Sequence, residues 1–71
     1  MKQISYYDQS VRSFAEHGRW MKLGLAQVGW KLRHSTFVES CRNANEEIDE
    51  DIRLSESQLS EAIDEAWERI K

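Results

Sequence analysis

Seventy-one residues with no proline, three glycines and one cysteine make a single domain at most, and they exclude a disulfide closed within the chain. The net charge of −3 weighs against a dedicated nucleic-acid binder. No apolar run approaches the roughly 18 residues that a membrane span needs, and MKQISYYDQS lacks an apolar signal core, so the chain reads as soluble and cytoplasmic.

A core of this size supplies about 3 to 5 kcal/mol unless a metal, a disulfide or a second copy adds to it. No Cys/His set has zinc-finger spacing, which leaves helix packing or oligomerisation. Scarce turn residues and a high charged fraction predict an all-α fold of three or four helices, with residues 1–71 as one helical domain. Charge is unevenly spread. Residues 1–34 carry six Lys/Arg against two acids, giving +4, and residues 35–71 carry four against eleven, giving −7.

The first element is predicted over residues 5–16. Tyr7, Val11, Phe14 and Ala15 fall on one helical stripe that Ile4 and Gly18 extend. Ser5 and Asp8 form a weak capping box, and Gly18 suits the left-handed residue beyond a helix end.

The central segment, residues 20–52, holds a stripe of Trp20, Leu23, Gln27, Trp30, His34, Phe37, Cys41, Ala44 and Ile48, in alternating steps of three and four. A second stripe of Met21, Leu25, Val28 and Leu32 exists only in its first half. The box Thr36/Glu39 favours a break near residues 34–36, whereas the absence of glycine or proline there favours one long helix. Folded back on itself, the seam sets Leu23 against Ile48, Gln27 against Ala44 and Trp30 against Cys41, with Arg19 near Asp51 and Lys31 near Glu39. A hairpin makes these contacts within one chain; a continuous helix makes them in an antiparallel homodimer, which the small core favours. A two-stranded reading of residues 21–32 is allowed by alternation, but Ala26-Gln27 is a poor hairpin turn.

The last element is predicted over residues 56–70. Ser55 as N-cap, Gln58 three residues on, and a Leu54/Leu59 staple mark its start. Leu59, Ala62, Ile63, Ala66, Trp67 and Ile70 form its apolar face.

Chemistry is thinly represented. Cys41 lies on the apolar seam, where a thiol is ordinarily an inert hydrophobe, and no catalytic residue, metal site or cofactor motif is predicted. The run Glu46, Glu47, Asp49, Glu50 and Asp51 lacks the glycine and terminal glutamate of a calcium loop. With Tyr6, which lies off the first stripe, it is instead a candidate partner surface. The expected function is therefore that of a small accessory or regulatory protein acting by protein–protein interaction, of a kind that phages and mobile elements use to modulate host machinery. The alternative is a nucleic-acid-associated regulator using a basic stripe of Arg12, Arg19, Lys22 and Arg33.

Overall fold

The computed structural model describes residues 6–48 and 50–71 and contains no strand among them. Helix α1 spans Tyr6–Ala26, α2 spans His34–Glu46 and α3 spans Glu56–Ile70, with one short 3-10 turn at Glu50–Ile52. Tyr7 bonds Glu65 and Lys22 bonds the Ile70 carbonyl, so α1 and α3 ascend together. His34 faces Asp64 and Arg42 pairs with Glu56, so α2 runs the other way. The result is an up-down-up bundle of three helices.

The first stripe behaves as its spacing predicts: Val11, Phe14, Ala15 and Gly18 are buried. The Ser5 cap and Ile4 lie outside the described residues. Helix α1 does not stop near residue 16, however. It runs through Gly18, which is a crossing point rather than a terminus. A Cβ there would overlap the Ile70 side chain and approach Phe37 Cε1 to 2.7 Å. Gly18 thus lets three helices converge, and its missing side chain is the reason they can.

The helix ends at Ala26, and Gly29 beyond it has a φ of +78°, the left-handed conformation that ends helices. Trp30 N–H donates to the Leu25 carbonyl at 2.9 Å and Gly29 N–H to the Ala26 carbonyl at 3.1 Å. Those two bonds form a Schellman motif, and its usual apolar contact fits Trp30 and Leu25, which line the same cleft. The break in the central segment therefore covers residues 27–33, earlier than residues 34–36, and no continuous helix crosses it. Helix α2 begins at His34 with Arg33 as an uncapped N-cap, leaving the Thr36/Glu39 box inside its first turns.

Two side chains fix the far corner. The Arg53 guanidinium donates to the Glu46 and Ile48 carbonyls, both at 2.9 Å, satisfying groups at the end of α2. The buried Asn45 Oδ1 accepts from Leu54 N–H at 3.3 Å, tying α2 to the start of α3. The predicted start of α3 holds: Ser55 Oγ accepts from Gln58 N–H at a long 3.5 Å, and Leu54 and Leu59 are both buried. Gln58 Oε1 meets Ser55 Oγ rather than the Ser55 backbone N–H, so the box is only half made.

One core results, with Phe37, Ile63, Val11 and Cys41 as its largest fully buried side chains. Half-buried Trp67 closes it, with its ring centroid 5.4 Å from Phe37 and 5.2 Å from His34. Truncating Phe37 to alanine costs about 3 to 5 kcal/mol, comparable with the whole margin of so small a core.

Candidate functional site

The bundle buries one half of the central stripe and exposes the other. Phe37 and Cys41 enter the core, while Trp20, Leu23 and Trp30 are 70%, 59% and 68% exposed, and Gln27 is exposed beside them. His34 and Ala44 are exposed and Ile48 is half-buried. These nine residues therefore form no continuous seam within the chain. Their heptad spacing runs on across the seven residues 27–33, which turn the chain and rotate the two halves onto different surfaces.

What the turn builds is an apolar, basic end. Val28 is 65% exposed next to Trp30. Lys31, Leu32 and Arg33 follow outside any helix, Arg33 with extended backbone, and lead into α2. A cleft of about 890 Å³ is lined by Leu25, Trp30, Lys31, Leu32, Arg33 and Thr36. A second of about 390 Å³ is lined by Lys22, Ala26, Trp30, Lys31, Leu32, Trp67 and Lys71. Trp30, Lys31 and Leu32 wall both, and no carboxylate lines either.

The Lys22 ammonium donates to the Ile70 carbonyl at 2.5 Å, a cation at the negative end of α3. By contrast, the Arg19, Lys31 and Arg33 side chains have no ion pair or hydrogen bond among the described residues. The expected pairs of Arg19 with Asp51 and Lys31 with Glu39 are not made among the described residues. Arg42 and Glu56 are joined instead, at 2.6 Å. Of the proposed basic stripe, Arg12, Arg19, Lys22 and Arg33 are all exposed.

The acidic candidate surface lies at the opposite end of α3. Glu46 and Glu47 close α2, Glu50 and Asp51 begin the 3-10 turn, and all four are exposed. Asp49 lies outside the described residues. Arg42 contacts Glu56 at the start of α3 and Lys22 reaches Ile70 at its end, so the two charged ends are separated by the helix length, roughly 22 Å at 1.5 Å per residue. Tyr6 is 54% exposed at the start of α1. Its neighbour Tyr7 donates to Glu65 Oε2 at 2.8 Å, a bond that, more than burial or the nearby carboxylates, raises the phenol pKa above 10.0.

Three residues bear on nucleophilic chemistry. Burial pushes the Cys41 thiol up to about 12, so it holds its proton at neutral pH. His17 Nε2 lies 2.5 Å from Ser40 Oγ, yet among the described residues no carboxylate bonds the imidazole, and the pair reads as a clamp between α1 and α2. No cluster of three or more metal-ligating side chains occurs among the described residues. No helix there is long and apolar enough to cross a membrane.

Three features of this end escape the sequence reading: the grouping of Val28 and Lys31 with Trp30, the participation of Trp67, and the stop at Gly29. A signal for them exists. From His17 to Val38 there is no Asp or Glu, the longest such span in the chain, and it covers this surface except for Trp67 and Lys71. Comparison with protein-family models, curated proteins and solved structures finds no match.

Proposed function

We propose that the protein is a small binding protein, an accessory or regulatory factor acting by protein–protein interaction through its apolar basic end. The observation that carries this reading is the exposure of Trp20, Leu23, Val28 and Trp30, each by more than half, beside a core that is otherwise closed. Large apolar side chains gathered in this way mark interaction sites, and tryptophan is prominent among binding hot spots. A phage or mobile-element setting, in which such a factor modulates host machinery, suits a chain of this size, and size is its only support.

The test compares the full chain with Trp20→Ala/Trp30→Ala. A protein captured by the first and lost by the second must, once purified, bind the full chain directly and bind the variant at least about tenfold more weakly, as hot-spot truncations do. If direct binding is equal for both, this end is not the docking site.

A second reading has its own observation: Arg12, Arg19 and Arg33, without an ion pair among the described residues, lie on the same half of the chain as the exposed rings of Trp20 and Trp30, the ingredients of a nucleic-acid surface. Retention on heparin at low salt that vanishes in Arg19→Glu/Lys22→Glu favours it. A third is self-association of the exposed half-stripe as a homodimer, which the ionic-strength dependence of the solution mass addresses.

A further inference from the structure

The geometry points to an acidic amphipathic helix of a partner protein as the occupant of the apolar basic end. This rests on the protein-docking reading above and adds the chemistry of the partner.

Charge is the first argument. Away from this surface, Arg42 and Arg69 each pair with a carboxylate, at 2.6 and 3.4 Å, and Arg53 caps two carbonyls; Lys71, which lines the second cleft, pairs with Glu68 at 2.9 Å. Among the described residues Lys31 and Arg33 in the clefts, and Arg19 on α1, have no ion pair or hydrogen bond, and Lys22 meets a carbonyl. The two clefts are thus lined by the four basic side chains Lys22, Lys31, Arg33 and Lys71 and by no Asp or Glu side chain. A partner of complementary potential is anionic.

Shape is the second. The clefts share Trp30, Lys31 and Leu32, so they form one furrowed surface with apolar walls and a basic rim. That is the counterpart of a helix whose apolar residues at i, i+3 or i+4, and i+7 are flanked by carboxylates. A bilayer instead takes up apolar groups that project from a convex face, whereas Trp30 divides two concavities. Single-stranded nucleic acid would supply the charge but stacks its bases on rings, and beyond the tryptophans the apolar lining is aliphatic: Leu25, Ala26 and Leu32.

The third argument removes a second copy. An isologous contact sets the same patch against itself, bringing Arg19, Lys22, Lys31 and Arg33 against their own images. The acidic candidate surface of another copy offers Glu46, Glu47, Glu50 and Asp51 with Tyr6 as its one large exposed apolar side chain among the described ones, against the Leu25, Ala26, Trp30, Leu32 and Trp67 that line the clefts.

The experiment is a selection of displayed random peptides of about 16 residues, four helical turns, on the immobilised full chain. Enriched peptides, vesicles with and without an anionic phospholipid, and a single-stranded oligonucleotide are then titrated against tryptophan fluorescence. Enriched peptides are expected to be net negative with apolar residues at helical spacing. They are expected to lose about tenfold or more in affinity for Arg19→Glu/Lys31→Glu/Arg33→Glu and for Trp30→Ala. These side chains lie outside the core, so both variants keep the parental circular dichroism and Tm. Peptides that need Trp30 but show no acidic bias, or that tolerate the triple charge reversal, overturn the acidic partner and leave protein docking standing. Absence of enriched peptides, or tighter binding of vesicles or oligonucleotide than of any peptide, overturns both.

Discussion

Gly18 lies flush against Phe37: a Cβ added to it would sit 2.7 Å from Phe37 Cε1 and would overlap Ile70 as well. The three helices meet at this point, and the geometry sets two glycines of one helix against each other. Gly18→Ala gains about 1 kcal/mol of helix propensity but forces an overlap with two buried side chains that costs about 1 to 3 kcal/mol. Gly24 has nothing within 4 Å of its built Cβ. Gly24→Ala therefore stabilises by about 0.5 to 1 kcal/mol, and Gly18→Ala is neutral at best. Urea denaturation of the two variants reads the difference, and equal stabilisation by both would show that α1 does not cross α2 and α3 at residue 18.

Gly29 gives a different signature because its constraint is conformational and not steric: φ is +78° and nothing lies within 4 Å of a Cβ built there. Gly29→Ala should cost about 1 to 2 kcal/mol, the penalty of a left-handed residue with a Cβ, while Gly29→Asn recovers part of it. Because the Schellman bonds hold Trp30 beside Leu25, the alanine variant also shifts the Trp30 amide resonance. An unchanged Tm in Gly29→Ala would mean that α1 ends elsewhere.

These two glycines also show where the sequence was legible and where it was not. Helix α3 announces itself because Ser55, Leu54, Leu59 and the Leu59–Ile70 stripe all agree. Residues 11–18 are legible for the same reason, up to the question of what Gly18 is for. Glycine suits both a helix end and a close crossing, and only the side chains of Phe37 and Ile70, distant in sequence, decide between them. The central stripe misleads in a more specific way. A turn of seven residues preserves heptad spacing along the sequence while breaking it in space, so Trp20, Leu23, Gln27 and Trp30 stay outside as Phe37 and Cys41 go in. The unused Thr36/Glu39 box has the same origin: the Gly29 stop feeds the chain into α2 two residues before Thr36.

Cys41 makes a pH prediction. Its pKa rises from 9.0 to about 12 in the folded chain because burial disfavours the thiolate. Between those values the unfolded chain has released a proton that the folded chain retains, so stability is complete below pH 9 and declines as pH rises toward 12. Cys41→Ala, at a cost of about 1 kcal/mol for the small cavity, flattens that alkaline decline. Tyr7 contributes a decline of the same sign through its bond to Glu65, and Tyr7→Phe separates the two. A thiol reagent at pH 8 is expected to leave native Cys41 unmodified and to react once denaturant is added; rapid native labelling contradicts the packing.

The exposed end can be checked without any ligand. Trp20 and Trp30 are 70% and 68% exposed, whereas Trp67 packs on Phe37 and His34. Acrylamide should quench most of the parental fluorescence, and Trp20→Phe/Trp30→Phe should leave a blue-shifted, weakly quenched emission from Trp67. Substitutions at such exposed sites keep stability within about 0.5 kcal/mol. A large loss of stability in the double variant would place these rings in the core.

Ionic strength separates the modes by which the chain can self-associate. Pairing through Trp20, Leu23, Gln27 and Trp30 opposes Arg19, Lys22, Lys31 and Arg33 to their own copies, so repulsion weakens it at low salt and screening strengthens it. End-to-end contact between the basic end and Glu46, Glu47, Glu50 and Asp51 is attractive, and salt weakens it. It is also heterologous, so it continues beyond a dimer unless the ring closes. Sedimentation equilibrium at about 20 and 500 mM salt, ionic strengths whose Debye lengths bracket the 10 Å of 0.1 M, therefore gives opposite trends for the two. The expected result is a monomer at low salt, with any dimer appearing only as salt rises. A compact dimer already formed at low salt would require carboxylates facing this end, and would point to the acidic half of a second copy in place of a separate partner.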